Sequence, residues 1–516
     1  MTPLSLSLQA YEGDFDSRRT NSFDINKLRS IRGPEARSPS QLLTLVPHTM
    51  ALLFGSRTTC WCGRSNYVRN RDLKSVATKQ SSINDFPRTT IVRKRARTYS
   101  TTPSAPSTAK GPLDGVKILD LTRILAGPFC TQILADYGAD VVKVEQPIKG
   151  DETRAWKGNG EASLWKDGTG PISFFFSAIN RNKRSITLDL KKDEAKEVVY
   201  KLVERGGVDV VIENFIPGTA DRLGIGYEAL AKRNPRLIYA SLSGYGSGGP
   251  YMKRAGYDAI AAAEAGFMQV TGHPGAPPIR AGLGMTDMST GLYMHGAIMA
   301  ALYSREKTGR GQFISASLFE SQVSMLINVG VNWLNRGIEG QKHGAAHPSN
   351  VPYNAWECRN GIWMVVAANS EKQYQILCNR IGRSELIEDE RFRTNALRVE
   401  HRTEMDQILA DVFITKSSDK WLKVFDGSGL AHGPVNTIER AFEHPQIEGR
   451  DMVVPMEWDA LESGEWKGIG PAVKFSETKT GVRRMPPRLG EHTEEVLRGA
   501  GFGVDEIERM RKAGAT

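Results

Sequence analysis

At 516 residues, 40% of them apolar, the chain is long enough for two ordinary domains, and it holds no apolar run that could span a bilayer, so membrane insertion is not expected. Its net charge of +10 belongs to the N-terminal end: residues 50–99 carry 11 Lys/Arg against 2 Asp/Glu, residues 1–49 carry 6 against 5, and residues 100–516 carry 51 of each. A nucleic-acid partner needs a basic footprint on the folded part, which this distribution does not supply.

Residues 1–49 lack periodicity and read as disordered, or as an extension upstream of a second start at Met50. Residues 50–110 read as a mitochondrial transit peptide and linker. The stretch is rich in Arg, Ser and Thr and poor in acids, Arg97-Thr98-Tyr99-Ser100 resembles a matrix-processing site, and a Pro/Ser/Thr segment follows. The mature protein would then lie in the mitochondrial matrix, although the same composition also fits a disordered basic tail. Cys60 and Cys62 fall in this leader. Cys130, Cys358 and Cys378 stand at wide spacing, which fits a reducing compartment without a disulfide framework.

From residue 111 the texture changes. Strand-like runs at 116–121, 139–144, 185–190, 208–212, 236–242 and 313–318 alternate with helical patterns at 129–137, 193–205 and 322–334. That alternation predicts an α/β fold whose large domain, starting with residues 111–335, holds a Rossmann-like parallel sheet. Residues 336–352, rich in Gly, His, Pro and Asn, read as a hinge. A strand at 363–367 and helices at 372–381, 400–415 and 418–426 predict a smaller α/β domain over 336–455. Residues 456–516 would return to the large domain.

Chemistry centres on Gly282-Leu283-Gly284-Met285-Thr286-Asp287-Met288-Ser289-Thr290-Gly291. One carboxylate, Asp287, stands at or just before an apolar helix running from residue 292 to 303, where backbone N–H groups favour a negative charge. Locally, Asp287 fits a helix cap as well as a reactive group. The absences narrow the field: no Gly-x-Gly-x-x-Gly follows the first strand, no phosphate loop ends in Gly-Lys-Ser/Thr, and no Gly-x-Ser-x-Gly elbow enters a helix. His343 and His347 are four apart, but Gly344 and Pro348 break the helix a metal would need, so no metal site is expected. The loop Ser243-Gly244-Tyr245-Gly246-Ser247-Gly248-Gly249-Pro250 follows a strand, where a ligand can approach the backbone. Asn214 and Phe215 also follow a strand and lead to Arg222, an aromatic and a cation suited to adenine and phosphate. Arg181, Lys183, Arg184, Lys191 and Lys192 flank the third strand, and converging on one sheet edge they would suit a polyphosphate.

Glu145, Gly150-Asp151, Asn182-Lys183-Arg184-Ser185, Glu213-Asn214-Phe215, Ser243-Gly244-Tyr245-Gly246, the Asp287 stretch, Thr308-Gly309-Arg310-Gly311-Gln312, Gly433-Pro434-Val435-Asn436 and Leu489-Gly490-Glu491-His492-Thr493 occur in this order. With them, residues 111–514 resemble the family III CoA-transferases of CaiB/BaiF type, and most of all the mitochondrial branch that works on succinate and hydroxymethylglutarate. The resemblance implies an interlocked homodimer with a large α/β domain built from both chain ends. It implies transfer of CoA from an acyl-CoA such as succinyl-CoA to a carboxylic acid, here a dicarboxylate such as glutarate or hydroxymethylglutarate. CoA esters are then substrates, and no cofactor is held permanently.

By the same resemblance Asp287 is the nucleophile, passing through a mixed anhydride and an aspartyl-CoA thioester. Ile124, Leu125, Ala126, Leu188, Lys191, Asn214, Phe215, Arg222 and Tyr257 match positions around CoA; Arg123 replaces a histidine of formyl-CoA transferase, Arg254 stands one residue before a lysine of some relatives as its substitute, and Gln146 stands where some members have an arginine. Residues 367–373 replace a tetraglycine lid of formyl-CoA transferase and are not glycine-rich. Two other readings are a racemase of the same superfamily and an inactive acyl-CoA-binding protein. The racemase pattern has a histidine where this chain has Tyr257, a poor base near neutral pH, and an inactive binder would dispense with Asp287. A dicarboxylate acceptor calls for an arginine clamp, and the sequence leaves open which arginine supplies it.

Overall fold

The computed structural model describes residues 110–516, so the extension expected over 1–49 and, but for its last residue, the transit peptide and linker expected over 50–110 lie outside the described residues. Strands β1 (Lys117–Asp120), β2 (Asp140–Glu145), β3 (Lys183–Thr187), β4 (Val210–Glu213), β5 (Ile238–Ser243) and β6 (Phe313–Ser317) form one sheet in the order β3-β2-β1-β4-β5-β6. Every neighbouring pair is parallel. Helices cover both faces, which is why the inner strands read as continuous apolar runs.

Successive side chains of a strand point to opposite faces, and the sheet separates two cores accordingly. Ile118, Val141, Val210, Ile212, Ile238 and Ala240 pack with helices α1 (Ala126–Asp136) and α2 (Met285–Thr308). Leu119, Val142, Val211 and Tyr239 face the other way, against the helix Asp193–Glu204 and the C-terminal helices Thr493–Gly499 and Val504–Lys512. The chain end is tied to β3 and the turn after it: Thr493 Oγ1 accepts the Thr187 N–H at 3.1 Å, and the Ala515 carbonyl accepts the Asp189 N–H at 2.9 Å.

A second core lies C-terminal to the sheet. Antiparallel strands β7 (Tyr353–Glu357), β8 (Trp363–Ala367) and β9 (Ala431–Pro434) pack against the helices Glu371–Ile381, Arg402–Phe413 and Ser418–Phe425 around buried Trp421, Phe413, Phe425 and Met405. A hairpin, β10 (Val453–Glu457) and β11 (Glu465–Ile469), completes a tryptophan cluster of Trp165, Trp458 and Trp466.

Three expectations change at the level of elements. The first helix begins at Ala126 rather than after Pro128, because proline is tolerated in a first helical turn. The apolar helix placed at 292–303 starts at Met285 and continues to Thr308. The helix placed at 322–334 is two, Leu318–Ser324 and α3 (Ile327–Arg336), separated where Ile327 takes a positive φ of 38°.

Candidate functional site

Strands β1 and β4 are neighbours whose onward connections leave toward opposite sides of the sheet, so their carboxyl ends bound a crevice. A cavity of about 350 Å³ occupies it, within the range of small-molecule sites. Arg123, Ile124, Leu125 and Ala126 line it from the β1 end, Asn214 and Phe215 from the β4 end, Ser243 and Gly244 from the β5 end, then Arg254, Tyr257 and Asp287. Leu188, Lys191 and Arg222 do not line it. Leu188 is buried in the core with Ile186 and Val198, Lys191 is exposed, and Arg222 donates to Thr219 Oγ1 at 2.9 Å beside a neighbouring cavity.

The wall after β1 is bound atom by atom. The Thr122 carbonyl accepts from Lys143 Nζ at 2.8 Å. The Asn214 amide clasps Arg123 from both sides, its Oδ1 accepting the Arg123 N–H at 3.0 Å and its Nδ2 donating to the Arg123 carbonyl at 2.8 Å. Asn214 thus spends much of its side chain on shaping the wall. The Ile124 N–H reaches both oxygens of Asp151, at 3.2 and 3.3 Å. Ile124 has φ of 71°, a left-handed conformation that a β-branched residue adopts only when its surroundings impose it. Asp151 is fixed in turn by fully buried Lys143 at 2.9 Å, whose charge holds its carboxyl below the usual range against the opposing effect of burial.

Glycine brings the remaining walls together. A Cβ on Gly244 would come within 2.7 Å of the Gly256 Cα, so the loop after β5 and the segment leading to Tyr257 touch backbone to backbone. A Cβ on Gly291 would meet the Ala126 carbonyl at 2.7 Å, where α2 crosses the start of α1.

Asp287 is not the cap of α2. Gly284 holds the cap position without a side-chain bond, and Asp287 is the third residue of the helix. The cap comes from elsewhere in the chain: Asp258 Oδ1 accepts the N–H of Thr286 at 2.9 Å and that of Asp287 at 3.2 Å. The helix end is thereby satisfied while the Asp287 carboxylate stays free to face the cavity. Burial, and next the charge of Asp258, push the Asp287 carboxyl up to about 7, with Arg280 pulling against them. Asp287 therefore changes charge near neutrality, which an ordinary capping aspartate does not.

Of the basic residues flanking the third strand, Arg181, Lys183 and Arg184 do not converge as free charges on one sheet edge. Arg181 pairs with Asp136 at 2.6 Å and Arg184 with Asp140 at 2.6 Å near the start of β3, while fully buried Lys183 reaches Asp120 at the end of β1 at 3.1 Å, so all three charges are already neutralised. His343 and His347 lie in irregular chain, and His347 stacks on Tyr353 with ring centres 5.3 Å apart. Among the described residues no group of three or more His, Cys, Asp or Glu could hold a metal ion, and no helix is long and apolar enough to cross a membrane. Sequence reasoning missed the supporting roles of Lys143, Asp151, Asp258 and Arg280. Gly150-Asp151 was visible as a motif, but nothing local connects it with residue 124.

The profile of CoA-transferase family III matches residues 113–493. An acyl-CoA transferase of Fusarium pseudograminearum is 52% identical over 408 residues, covering 79% of this chain and 89% of that protein. The human succinyl-CoA:glutarate CoA-transferase is 42% identical over 387 residues, covering 75% of this chain and 85% of its own. Among solved structures, a CAIB/BAIF family protein from Brucella suis superposes with a TM-score of 0.67 at 37% identity, covering 76% of this chain and all of that one.

Proposed function

Because the chain belongs to CoA-transferase family III, we propose that it moves CoA from succinyl-CoA to a free dicarboxylate such as glutarate or hydroxymethylglutarate, with Asp287 as the nucleophile. The observation that carries this reading is the Asp287 carboxylate itself, unused by its own helix end and lining a cavity at the switch point of the sheet.

The ionised Asp287 carboxylate attacks the thioester carbonyl, the C–S bond breaks, and CoA leaves as thiolate from a mixed anhydride. The thiolate returns to the aspartyl carbonyl, the anhydride C–O bond breaks, and the donor acid leaves as carboxylate. The acceptor carboxylate then displaces the thiolate from aspartyl-CoA to give a second anhydride. The thiolate attacks the acceptor's acyl carbon, which frees the new thioester and restores Asp287. No net proton or electron is exchanged. The N–H groups of Thr286 and Asp287 are taken by Asp258, so the first turn of α2 acts on the anionic intermediates through its dipole rather than through free donors. The Arg123, Ile124, Leu125 and Ala126 wall would hold the CoA moiety, with Phe215 beneath the adenine and Arg254 near the phosphates.

Tyr257 stands exposed where a racemase would need a second base, which favours transfer, and the free nucleophilic carboxylate favours an enzyme over an inactive binder. A homodimer, a separate smaller domain over 336–455 and targeting to the mitochondrial matrix belong to the same proposal. Incubating the purified chain with succinyl-CoA and glutarate and following CoA esters by mass spectrometry tests it. Glutaryl-CoA should form, and trapping with hydroxylamine should mark Asp287. Asp287→Ala should lose at least about 10³-fold in rate, as removal of a covalent nucleophile does. An Asp287→Ala variant as fast as the unaltered chain would end the assignment.

A further inference from the structure

We infer that Arg280 is the residue that selects a dicarboxylate, holding the carboxylate that does not react while the other meets Asp287. This rests on the CoA-transferase reading above and names the acceptor-discriminating group within it.

Two arginines line the cavity, and both are committed. Arg123 pairs with Glu152 at 2.6 Å. Arg254 pairs with Glu264 at 2.6 Å and lies against the rings of Tyr245 and Tyr251. Arg280 differs on each point. Its one ion pair among the described residues, Nε to Asp258 Oδ2, spans 3.7 Å, beyond a direct hydrogen bond, and more than half of its side chain is exposed. A guanidinium has five N–H donors in a planar fork that matches a carboxylate, so this one retains its binding capacity.

Asp258 joins Arg280 to the nucleophile. Its Oδ1 holds the N–H groups of Thr286 and Asp287, while Oδ2 faces Arg280. The guanidinium therefore sits one carboxylate away from the reacting end of α2, a separation that the two or three methylenes of a short diacid can bridge. Arg280 is not among the residues lining the cavity assigned to CoA, so an acceptor held there would not compete with the nucleotide. Its loop is tied at the base rather than loose: Lys342 Nζ donates to the Ala276 carbonyl at 2.6 Å, and the Gly344 N–H donates to the Gly272 carbonyl at 2.8 Å.

The test compares glutarate with its monomethyl ester as acceptors, using succinyl-CoA as donor and the full chain. The ratio of kcat/KM for the two acceptors is read, because effects on the donor half-reaction cancel in it. The unaltered chain should prefer the diacid. Arg280→Gln should lower the diacid-to-half-ester ratio of kcat/KM roughly 10- to 100-fold, the worth of a charged hydrogen bond, since any effect on the charge of Asp287 falls on both acceptors alike. Arg280→Lys should recover part of the preference, since a point charge attracts a carboxylate without the bidentate fit. Equal losses for both acceptors, with a shifted pH profile, would mean that Arg280 only adjusts the charge of Asp287, and would overturn the clamp. An unchanged ratio would overturn it too. An unaltered chain that transfers CoA to neither acceptor would defeat the function proposed above and the clamp with it, whereas transfer to the half-ester alone would defeat only the clamp.

Discussion

Asp287 is held in a state that works against the fold. Its carboxyl titrates at about 7 in the folded chain, against about 3.9 for an unperturbed aspartate. Between about pH 4 and pH 7 the folded state keeps a proton that the unfolded state has released, so stability falls as pH rises through that window. Asp287→Asn removes the effect, and because the side chain is partly open to solvent the gain should be only about 1–2 kcal/mol at pH 8 and near zero at pH 4. Urea unfolding at the two pH values measures it; a gain independent of pH would show that the titration is not the cause. Activity should run the other way, rising with pH toward a plateau above about 7, since only the ionised carboxylate attacks. Asp258→Asn removes the neighbouring charge but keeps an acceptor for the helix end, so the rise should move to lower pH with modest loss of stability. The Asp287 segment was conspicuous in the sequence for its glycines and lone carboxylate. The residue that caps its helix lies 29 positions upstream, and local sequence carries no sign of that bond.

At the scale of elements, the turn after β1 illustrates what a buried ion pair can specify. Left-handed Ile124 stores strain of about 1–2 kcal/mol, and Lys143 with Asp151 supplies the bonds that hold it. Lys143→Met leaves Asp151 buried and unpaired, and should destabilise the chain by about 3–5 kcal/mol. At temperatures where the variant stays folded, KM for the acyl-CoA should rise more than kcat falls, because the wall lines the CoA cavity; steady-state kinetics at fixed acceptor would show this. A matched fall in kcat with unchanged KM would mean the wall does not hold CoA. The sheet itself was legible, since strands buried on both faces give apolar runs and their crossover helices give a 3.6-residue period. Strands β7 and β9 were not. Tyr353-Asn354-Ala355-Trp356-Glu357 mixes polar and aromatic residues, and Ala431-His432-Gly433-Pro434 has the composition of a turn. Both become strands because β8 lies between them and supplies their ladder bonds, a tertiary cause that propensity does not record.

At the scale of the whole molecule, α3 carries an apolar face open to solvent. None of its residues is buried, yet Ile327, Val331, Trp333 and Leu334 are large apolar side chains, with exposures of 70%, 57%, 54% and 81%. Exposed Leu292, Tyr293 and Tyr303 on α2 add to the apolar surface. Large apolar side chains exposed together on one helix mark an interface, and the homodimer implied by the sequence resemblance supplies an occupant, a second copy of the same chain. A symmetric pair would bury each copy of α3 against its partner. Light scattering on the purified chain at micromolar concentration should give the mass of two chains. Replacing Val331 and Leu334 together by Asp should convert it to single chains, because two charges would have to be desolvated in the contact. Since both positions are exposed, each single chain should keep its core and its cooperative unfolding. A substituted chain that remains a dimer would locate the interface elsewhere, and an unaltered chain that scatters as a monomer at every concentration would remove the dimer from the proposal.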